Sequence, residues 1–200
     1  MKRIFRRALV AASSLGVVGG IALTALPASA ALPPPPVQSW GASAYGPIHF
    51  GPVAYANSFH TPGVASNANY TNFLTTGLII DRASFTTGYS LVNSPLVQLN
   101  FILARIQASQ ISSWCHIIGR FAVGGSYIYN GSVMQNGSTV YNPLQTPGRN
   151  TVKFIRGAVI VFNQQHFSRG QLTVTAIHVY SGRESLSLGV STCGRQRKET

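Results

Sequence analysis

The sequence predicts an all-β protein: a single disulfide-stapled β-sandwich preceded by a signal peptide helix, with a β-barrel or jelly roll as the alternative. Three observations favour this fold class. Short apolar or alternating runs, broken by Gly, Pro and Asn, fill the chain from residue 39 onward. No helical period follows residue 31, and the only two cysteines lie far apart. Many short strands separated by turn signals are typical of sandwiches and barrels.

The first 30 residues follow the order of a secretory signal peptide. Basic residues at positions 2, 3, 6 and 7 precede an apolar stretch over 8–26, and Ala28, Ser29 and Ala30 form an Ala-x-Ala cleavage site. The stretch could just span a bilayer, but its serines and glycines and the cleavage site favour removal after Ala30. The export route stays open, because Phe5 stands where a twin-arginine signal has a polar residue.

The composition predicts that the mature chain, 31–200, is one extracytoplasmic domain with a neutral polar surface. Four of the 15 Lys and Arg belong to the signal, which leaves 11 against three acids and a net charge of +8. We divide the chain into a signal peptide (1–30), a Pro-rich spacer (31–38), a β-sandwich domain (39–194) and a basic tail (195–200). The positive balance favours polyanions as partners. The scattered basic residues do not indicate nucleic acid.

Alternation and apolar runs predict the strands. The strongest covers 170–181, where regular alternation would place Leu172 and His178 on the same sheet face. Residues 61–76 are predicted to be a long polar loop. The remaining predicted strands are 41–45, 52–56, 78–86, 99–109, 111–117, 121–129, 151–155, 158–163 and 185–193.

Two Asn-Gly pairs predict tight turns. Asn130-Gly131 and Asn136-Gly137 each separate short alternating runs, and both residue types tolerate the positive φ that a type I′ hairpin turn requires. Residues 126–141 therefore read as a small meander in which at least one of the two turns forms.

The two cysteines of an exported chain predict one structural disulfide, Cys115–Cys193. They are 78 positions apart, so closing this loop would restrain the unfolded chain by about 4–4.5 kcal/mol. The bond would join the last strand to one near mid-chain. The sequence has no C-x-x-C motif, so it does not indicate a metal-binding or redox role for the cysteines.

The chemistry of an enzyme is mostly missing from the sequence, and we predict no catalytic residue, metal or cofactor. Only Asp81 and Glu184 offer carboxylates in the folded body, and the histidines show no zinc-binding spacing. His178 is interpreted as a core or sheet-face residue. Trp114 is expected to pack near the disulfide, and Trp40 to lie in a weakly structured N-terminal run, although either could stack on a sugar.

The second half of the chain carries an ordered set of motifs: ARIQASQISSWC, GGSYIYNGSVMQNGSTV, FNQQ, LTVTAIHV and VSTCG. This order resembles the choice-of-anchor P family of secreted actinobacterial proteins, and ASAYG near the start resembles the family's opening. The resemblance implies export from a Gram-positive bacterium and no known activity. Gln164 stands where we expect an acid in that family, and no sorting signal or apolar tail follows Cys193.

These observations predict a secreted, non-enzymatic domain at the cell surface or envelope, with a structural or interaction role. The alternative is a carbohydrate-binding module for a cell-wall or environmental glycan, and a hydrolase is the third hypothesis. Anionic wall polymers, contacted by Arg195, Arg197 and Lys198, or neutral glycans are the expected partners. No stable membrane span is expected after signal cleavage. The oligomeric state stays open.

Cleavage of the signal peptide is directly testable. The exported protein should begin Ala31-Leu32-Pro33 when its N-terminus is sequenced, because Ala28 and Ala30 fit the small pockets of a signal peptidase. Recovery of an intact Met1 form from the membrane would contradict cleavage.

Overall fold

The structure, a computed structural model, describes residues 37–59, 61–70, 73–99, 103–168 and 170–194. Across these ranges the chain is all-β and antiparallel, and no sheet closes into a barrel, as the sandwich prediction requires. No described helix could cross a membrane. The predicted signal peptide, its cleavage site at Ala28 and Ala30, and the basic tail lie outside the described residues.

The described strands, numbered in chain order, begin at Val37, two residues before the predicted start of the domain. Strand β12 and strand β15 have the predicted bounds. The strands are β1 (Val37–Tyr45), β2 (Phe50–Val53), β3 (Ala56–Asn57), β4 (Gly63–Ser66), β5 (Asn69–Tyr70), β6 (Leu74–Thr75), β7 (Ile79–Ala83), β8 (Thr87–Asn93), β9 (Leu96–Leu99), β10 (Ala104–Gln107), β11 (Gln110–Ile118), β12 (Phe121–Tyr129), β13 (Ser132–Gln135), β14 (Ser138–Tyr141), β15 (Thr151–Ile155), β16 (Ala158–Ser168), β17 (Gln171–Ser181) and β18 (Glu184–Gly194).

Three sheets form the two layers of the sandwich. Sheet I has the order β15-β16-β17-β18-β1-β2, with β3 also paired to β1. Sheet II has the order β12-β11-β8-β7-β4, and sheet III the order β14-β13-β10-β9-β6-β5. Along the chain β4 leads into β5, β6 into β7, β8 into β9, β10 into β11 and β12 into β13. Sheets II and III are therefore two halves of one interrupted layer that faces sheet I.

Side chains from all three sheets share the main hydrophobic core. Phe162 of sheet I, Ile111 of sheet II and Leu74 of sheet III are fully buried in it. Large rings fill the space between sheets I and III, where Phe50 and Tyr70 stack with their centroids 3.9 Å apart. Burial of each such side chain stabilises the fold by about 2 kcal/mol, so packing joins the layers along most of their length.

The disulfide joins sheets I and II at one end of the sandwich, as predicted. Cys115 of β11 and Cys193 of β18 are bonded, with their Cα atoms 5.7 Å apart. A second, smaller core surrounds the bond and includes Val37, Leu172 and Val174. We call this part of the molecule the disulfide end.

A row of four residues crosses sheet I between the two cores. The flanking pairs place Asn163, Ala176, Gly189 and Gly41 side by side on β16, β17, β18 and β1, but these four residues are themselves skipped by the ladders. Asn163 and Gly189 have φ values of 50° and 59°, a region that extended strands avoid. The register is the same on both sides of the row, so the pairing is interrupted here without a register shift.

The buried side chains of β17 switch at this row from even-numbered to odd-numbered positions. Leu172 and Val174 are buried beside the disulfide, whereas Ile177 and Val179 are buried in the main core. His178 is half-buried. The regular alternation predicted for 170–181 therefore holds only within each half of the strand. On either side of the row, a different face of β17 is covered by the rest of the protein.

The prediction of a long polar loop over 61–76 is wrong. This segment contains β4, β5 and β6, and Ala68, Phe73 and Leu74 are buried in the main core. The predicted strand 99–109 is likewise divided, since β9 ends at Leu99 and β10 begins at Ala104. Both errors have one physical cause: these strands are short, and long-range pairing rather than local alternation forms them.

One of the two predicted Asn-Gly hairpins is confirmed. Asn136 and Gly137 have φ values of 51° and 78° and connect β13 to β14, where Gln135 pairs with Ser138. The other prediction is wrong: Asn130-Gly131 joins β12 of sheet II to β13 of sheet III, and these strands do not pair. The predicted meander over 126–141 is thus a crossing between half-layers followed by one hairpin.

Breaking the disulfide should destabilise the protein by about 4 kcal/mol. Urea denaturation of the double variant Cys115→Ala/Cys193→Ala should show this loss in the free energy of unfolding. A reductant should lower the stability of the wild type and leave the double variant unchanged. Equal stability of the reduced and oxidised wild type would contradict the structural role of the bond.

Candidate functional site

The outer face of sheet II carries a group of aromatic side chains. Alternation along β8, β11 and β12 directs Tyr89, Trp114, Tyr127 and Tyr129 away from the interior. Trp114 pairs with Tyr89 on one side and with Gly125 on the other, and Ser112 pairs with Tyr127. We call these four residues the aromatic face.

Trp114 occupies the centre of the aromatic face. Its indole lies across β12 at Gly125, where a Cβ atom would come within 3.3 Å of the ring. The glycine therefore provides the space in which the ring lies against the sheet. With 41% of its surface exposed, Trp114 offers an apolar platform to solvent, and its indole N–H donates to none of the described residues.

The expectation that Trp114 packs near the disulfide is wrong. Cys115 is fully buried and points into the sandwich, so the preceding residue must point outward. Trp40 also differs from expectation. It lies within β1, its indole N–H donates to Ser43 Oγ at 3.2 Å, and its ring is 6.5 Å from that of Tyr55. Trp40 is thus held by its neighbours.

Amide side chains flank the aromatic face. Gln110 Nε2 donates to Asn93 Oδ1 at 3.1 Å, and the Tyr127 hydroxyl donates to Gln145 Oε1 at 3.3 Å. These bonds leave further amide donors and acceptors free to meet a ligand. On the other side of Tyr89 is an open depression lined by Pro62, Arg82, Ala83, Ser84, Thr87 and Tyr89. The face therefore combines apolar rings with neutral polar groups.

His178 lies on sheet I in a small polar network. Its Nδ1 is 2.6 Å from Gln164 Oε1, and Gln164 Nε2 donates to the Tyr180 hydroxyl at 2.9 Å. The rings of His178 and Tyr180 stack at 4.0 Å. Burial lowers the pKa of His178 to about 4, so the ring is neutral at physiological pH. This arrangement fits the predicted sheet-face role.

The FNQQ motif explains how Gln164 reaches His178. The positive φ of Asn163 redirects the strand, and the Asn163 side-chain amide donates to the Pro147 carbonyl at 2.8 Å. Gln165 Nε2 then donates to the Gly124 carbonyl at 3.0 Å, across to sheet II. The motif is a structural joint between the layers.

Asp81 lies in a buried polar layer between sheets I and II. It occupies one cross-strand row with Ser90, Ser113 and Ser126, and all four are buried. Neither carboxyl oxygen has a hydrogen-bond partner among the described residues. Burial raises the pKa of Asp81 to about 8, and the nearby Ser90 side chain and Gly41 amide lower it only in part. Below that pH the group is a neutral acid.

The described residues do not bring an acid and a histidine together. Asp81 is enclosed, and Glu184 is the first residue of β18, opposite Ser181. His116 Nδ1 is 2.6 Å from Thr87 Oγ1, and His178 contacts Gln164. In these ranges no three His, Cys, Asp or Glu residues are placed to hold a metal. The hydrolase hypothesis gains no support, and the non-enzymatic assignment stays a prediction.

Comparisons with protein-family models, with curated proteins and with solved structures find no match. The resemblance to the choice-of-anchor P family therefore stays a prediction. The predicted contact residues Arg195, Arg197 and Lys198 lie outside the described residues. The sequence analysis did not identify Tyr89, Tyr127 and Gly125 as parts of this face. The outward position of Trp114 was predictable, because a disulfide-bonded Cys115 must point inward and neighbouring residues of a strand point to opposite faces.

Asp81 and His178 predict opposite effects of pH on stability. Asp81 keeps its proton up to about pH 8 when folded and loses it near pH 4 when unfolded, so its contribution falls between pH 4 and 8. The pKa of His178 is 6.5 in the unfolded chain and about 4 in the folded protein, so its contribution to stability grows as the pH rises from 4 to 6.5. The two effects oppose each other below pH 6.5, and only the loss from Asp81 acts above it.

The free energy of unfolding should therefore fall by about 1 kcal/mol per pH unit between roughly pH 6.5 and 8. Asp81→Asn should abolish this fall, because its amide does not ionise. Urea denaturation at several pH values measures both proteins, with Glu184→Gln as the control that keeps the wild-type slope. A wild type that is equally stable at pH 6.5 and 8 would contradict the burial of an unpaired carboxyl.

Proposed function

We propose that this protein is a non-enzymatic, extracytoplasmic glycan-binding domain, and that the aromatic face of sheet II is its binding site. The observation that carries the proposal is Trp114, whose ring lies against Gly125 and whose side chain is partly exposed to solvent. The signal-peptide order of the first 30 residues supports export, and an envelope glycan is then an available ligand.

The chemistry of the aromatic face suits a neutral sugar polymer. The apolar C–H face of a pyranose ring packs against an aromatic ring, and the sugar hydroxyls bond to amides and phenols. Tyr89 pairs with Trp114 on the side away from Gly125, so the aromatic face extends from β8 across β11 to β12. Gln110 and Gln145 supply amide groups beside it.

The charge pattern distinguishes this proposal from electrostatic retention at the envelope. Arg82 is the one charged residue that lies beside the aromatic face in the pairings of the described strands, next to Tyr89. Retention by anionic wall polymers would instead use the net positive charge and the tail residues Arg195, Arg197 and Lys198. Binding through the aromatic face should persist in high salt, whereas binding through the tail should not.

The replacement Trp114→Ala should weaken binding to a neutral wall glycan about tenfold, since it removes the stacking platform. The assay is a pull-down with purified peptidoglycan stripped of anionic polymers, at low salt and at about 1 M NaCl, where charges are screened within about 3 Å. Tyr45→Ala is the matched control, because Tyr45 is an exposed aromatic residue on sheet I.

Unchanged binding by Trp114→Ala, or an equal loss in Tyr45→Ala, would contradict the assignment of the site. Binding that disappears in high salt and in the triple variant Arg195→Gln/Arg197→Gln/Lys198→Gln would favour electrostatic retention instead.

A further inference from the structure

Large apolar side chains project from the disulfide end of the sandwich. Phe121 is 76% and Phe85 is 66% exposed, and Phe59, Ile118 and Phe167 are each more than half exposed. None of the five contributes to either core. Scattered exposed apolar residues are ordinary on a soluble protein, but a contiguous group marks an interaction site. We call these five residues the apolar rim.

Backbone contacts bring the members of the apolar rim together. Ile118 and Phe121 pair directly on either side of the β11–β12 turn. The amide of Ile117 donates to the Thr86 carbonyl at 2.8 Å, which places the β7–β8 turn and Phe85 alongside. Phe59 meets Phe85 edge to face, with ring centroids 5.8 Å apart.

Phe167 extends the rim onto sheet I. It pairs with Leu172 of β17, and Leu172 pairs with Cys193. Leu172 belongs to the core around the disulfide, against which Ile117 and Ala122 also pack. The rim therefore includes turns from both layers and surrounds the stapled end, rather than lining a groove.

The charges near the rim are positive. Arg120 lies in the β11–β12 turn between Ile118 and Phe121, and Arg82 is exposed nearby. Of the acids in the described residues, Asp81 is buried, and Glu184 begins β18 roughly 30 Å from Cys193 along the strand. No described acid is thus exposed at this end.

Both ends of the described domain also lie here. Val37 pairs with Cys193, and β18 ends at Gly194. Arg195, Arg197 and Lys198 follow Gly194 in the sequence. The most basic segment of the chain is therefore attached at this end.

We infer that the disulfide end docks peripherally on an anionic lipid membrane. Separate aromatic side chains on turn tips can enter the boundary between headgroups and acyl chains, which yields to their shape, while basic residues are attracted to acidic headgroups. A rigid protein partner would need a matching socket for each tip. This docking surface is independent of the aromatic face, and it does not rest on glycan binding.

The test is co-sedimentation of the exported protein with vesicles of phosphatidylcholine alone or with added phosphatidylglycerol. The protein should bind the anionic vesicles, and about 1 M NaCl should weaken this binding. Phe85→Ser/Phe121→Ser should reduce it about tenfold or more. The matched control is Phe154→Ser, which alters a side chain that is 74% exposed at the other end of sheet I and should bind as the wild type.

Arg120→Gln provides a variant that leaves the apolar residues in place. It should reduce binding to anionic vesicles about fivefold, because one basic residue near a charged membrane contributes about 1 kcal/mol. The double Phe variant should keep its binding to wall glycan, and Trp114→Ala should keep its binding to vesicles. These readouts separate the failure of membrane docking from the failure of the proposed function.

Three results would overturn the inference. The first is absence of binding to anionic vesicles, and the second is an equal loss in Phe154→Ser. The third is a dimer on size-exclusion chromatography that dissociates in the double Phe variant, which would make the rim an interface between copies of this chain. Equal binding to phosphatidylcholine alone would refute the anionic part of the inference.

Discussion

The close approach of sheets I and II around Cys115–Cys193 is the constraint on which the other features depend. Facing strands β11 and β18 have Cα atoms within 8 Å of each other, whereas packed sheets are usually about 10 Å apart. Small residues permit this contact: Gly124 faces Val174, and Gly41 meets Ile79. Because Cys115 must point inward, Trp114 must point outward. The disulfide therefore fixes the orientation of the aromatic face as well as the join between layers.

The close approach of sheets I and II leaves a polar layer between them, where most sandwiches have an apolar one. Ser39 donates to the Arg82 carbonyl and Ser90 to the Trp40 carbonyl, each across the two sheets at 3.1 Å. Ser113 and Ser126 have no hydrogen-bond partner among the described residues. Unpaired buried polar groups lower the stability of the folded protein, and the disulfide and the main core offset this loss. In this layer the small size of serine matters more than its hydrogen bonding.

Local sequence patterns predicted the regular half of the fold well and its interruptions poorly. The bounds of β12 and β15, the hairpin at Asn136 and the cysteine pair follow from alternation, turn chemistry and export. Two-residue strands such as β5 and β6 carry no such signal, because β6 forms by pairing with β9 and β5 by pairing with β6. The site was found only in part. The sequence predicted that Trp114 packs near the disulfide and offered stacking only as an alternative for either tryptophan. The neighbours Tyr89 and Gly125 are determined by cross-strand register, which no local pattern contains.

The two tryptophans allow a direct test of the central claim that Trp114, and not Trp40, faces the ligand. The protein has two indole N–H groups, so an NMR spectrum should contain two indole signals, assigned by Trp40→Phe and Trp114→Phe. Titration with a soluble, neutral fragment of wall glycan should shift the signal of Trp114, while that of Trp40, bonded to Ser43, stays in place. A shift confined to Trp40, or no shift at a concentration that saturates binding, would contradict the account.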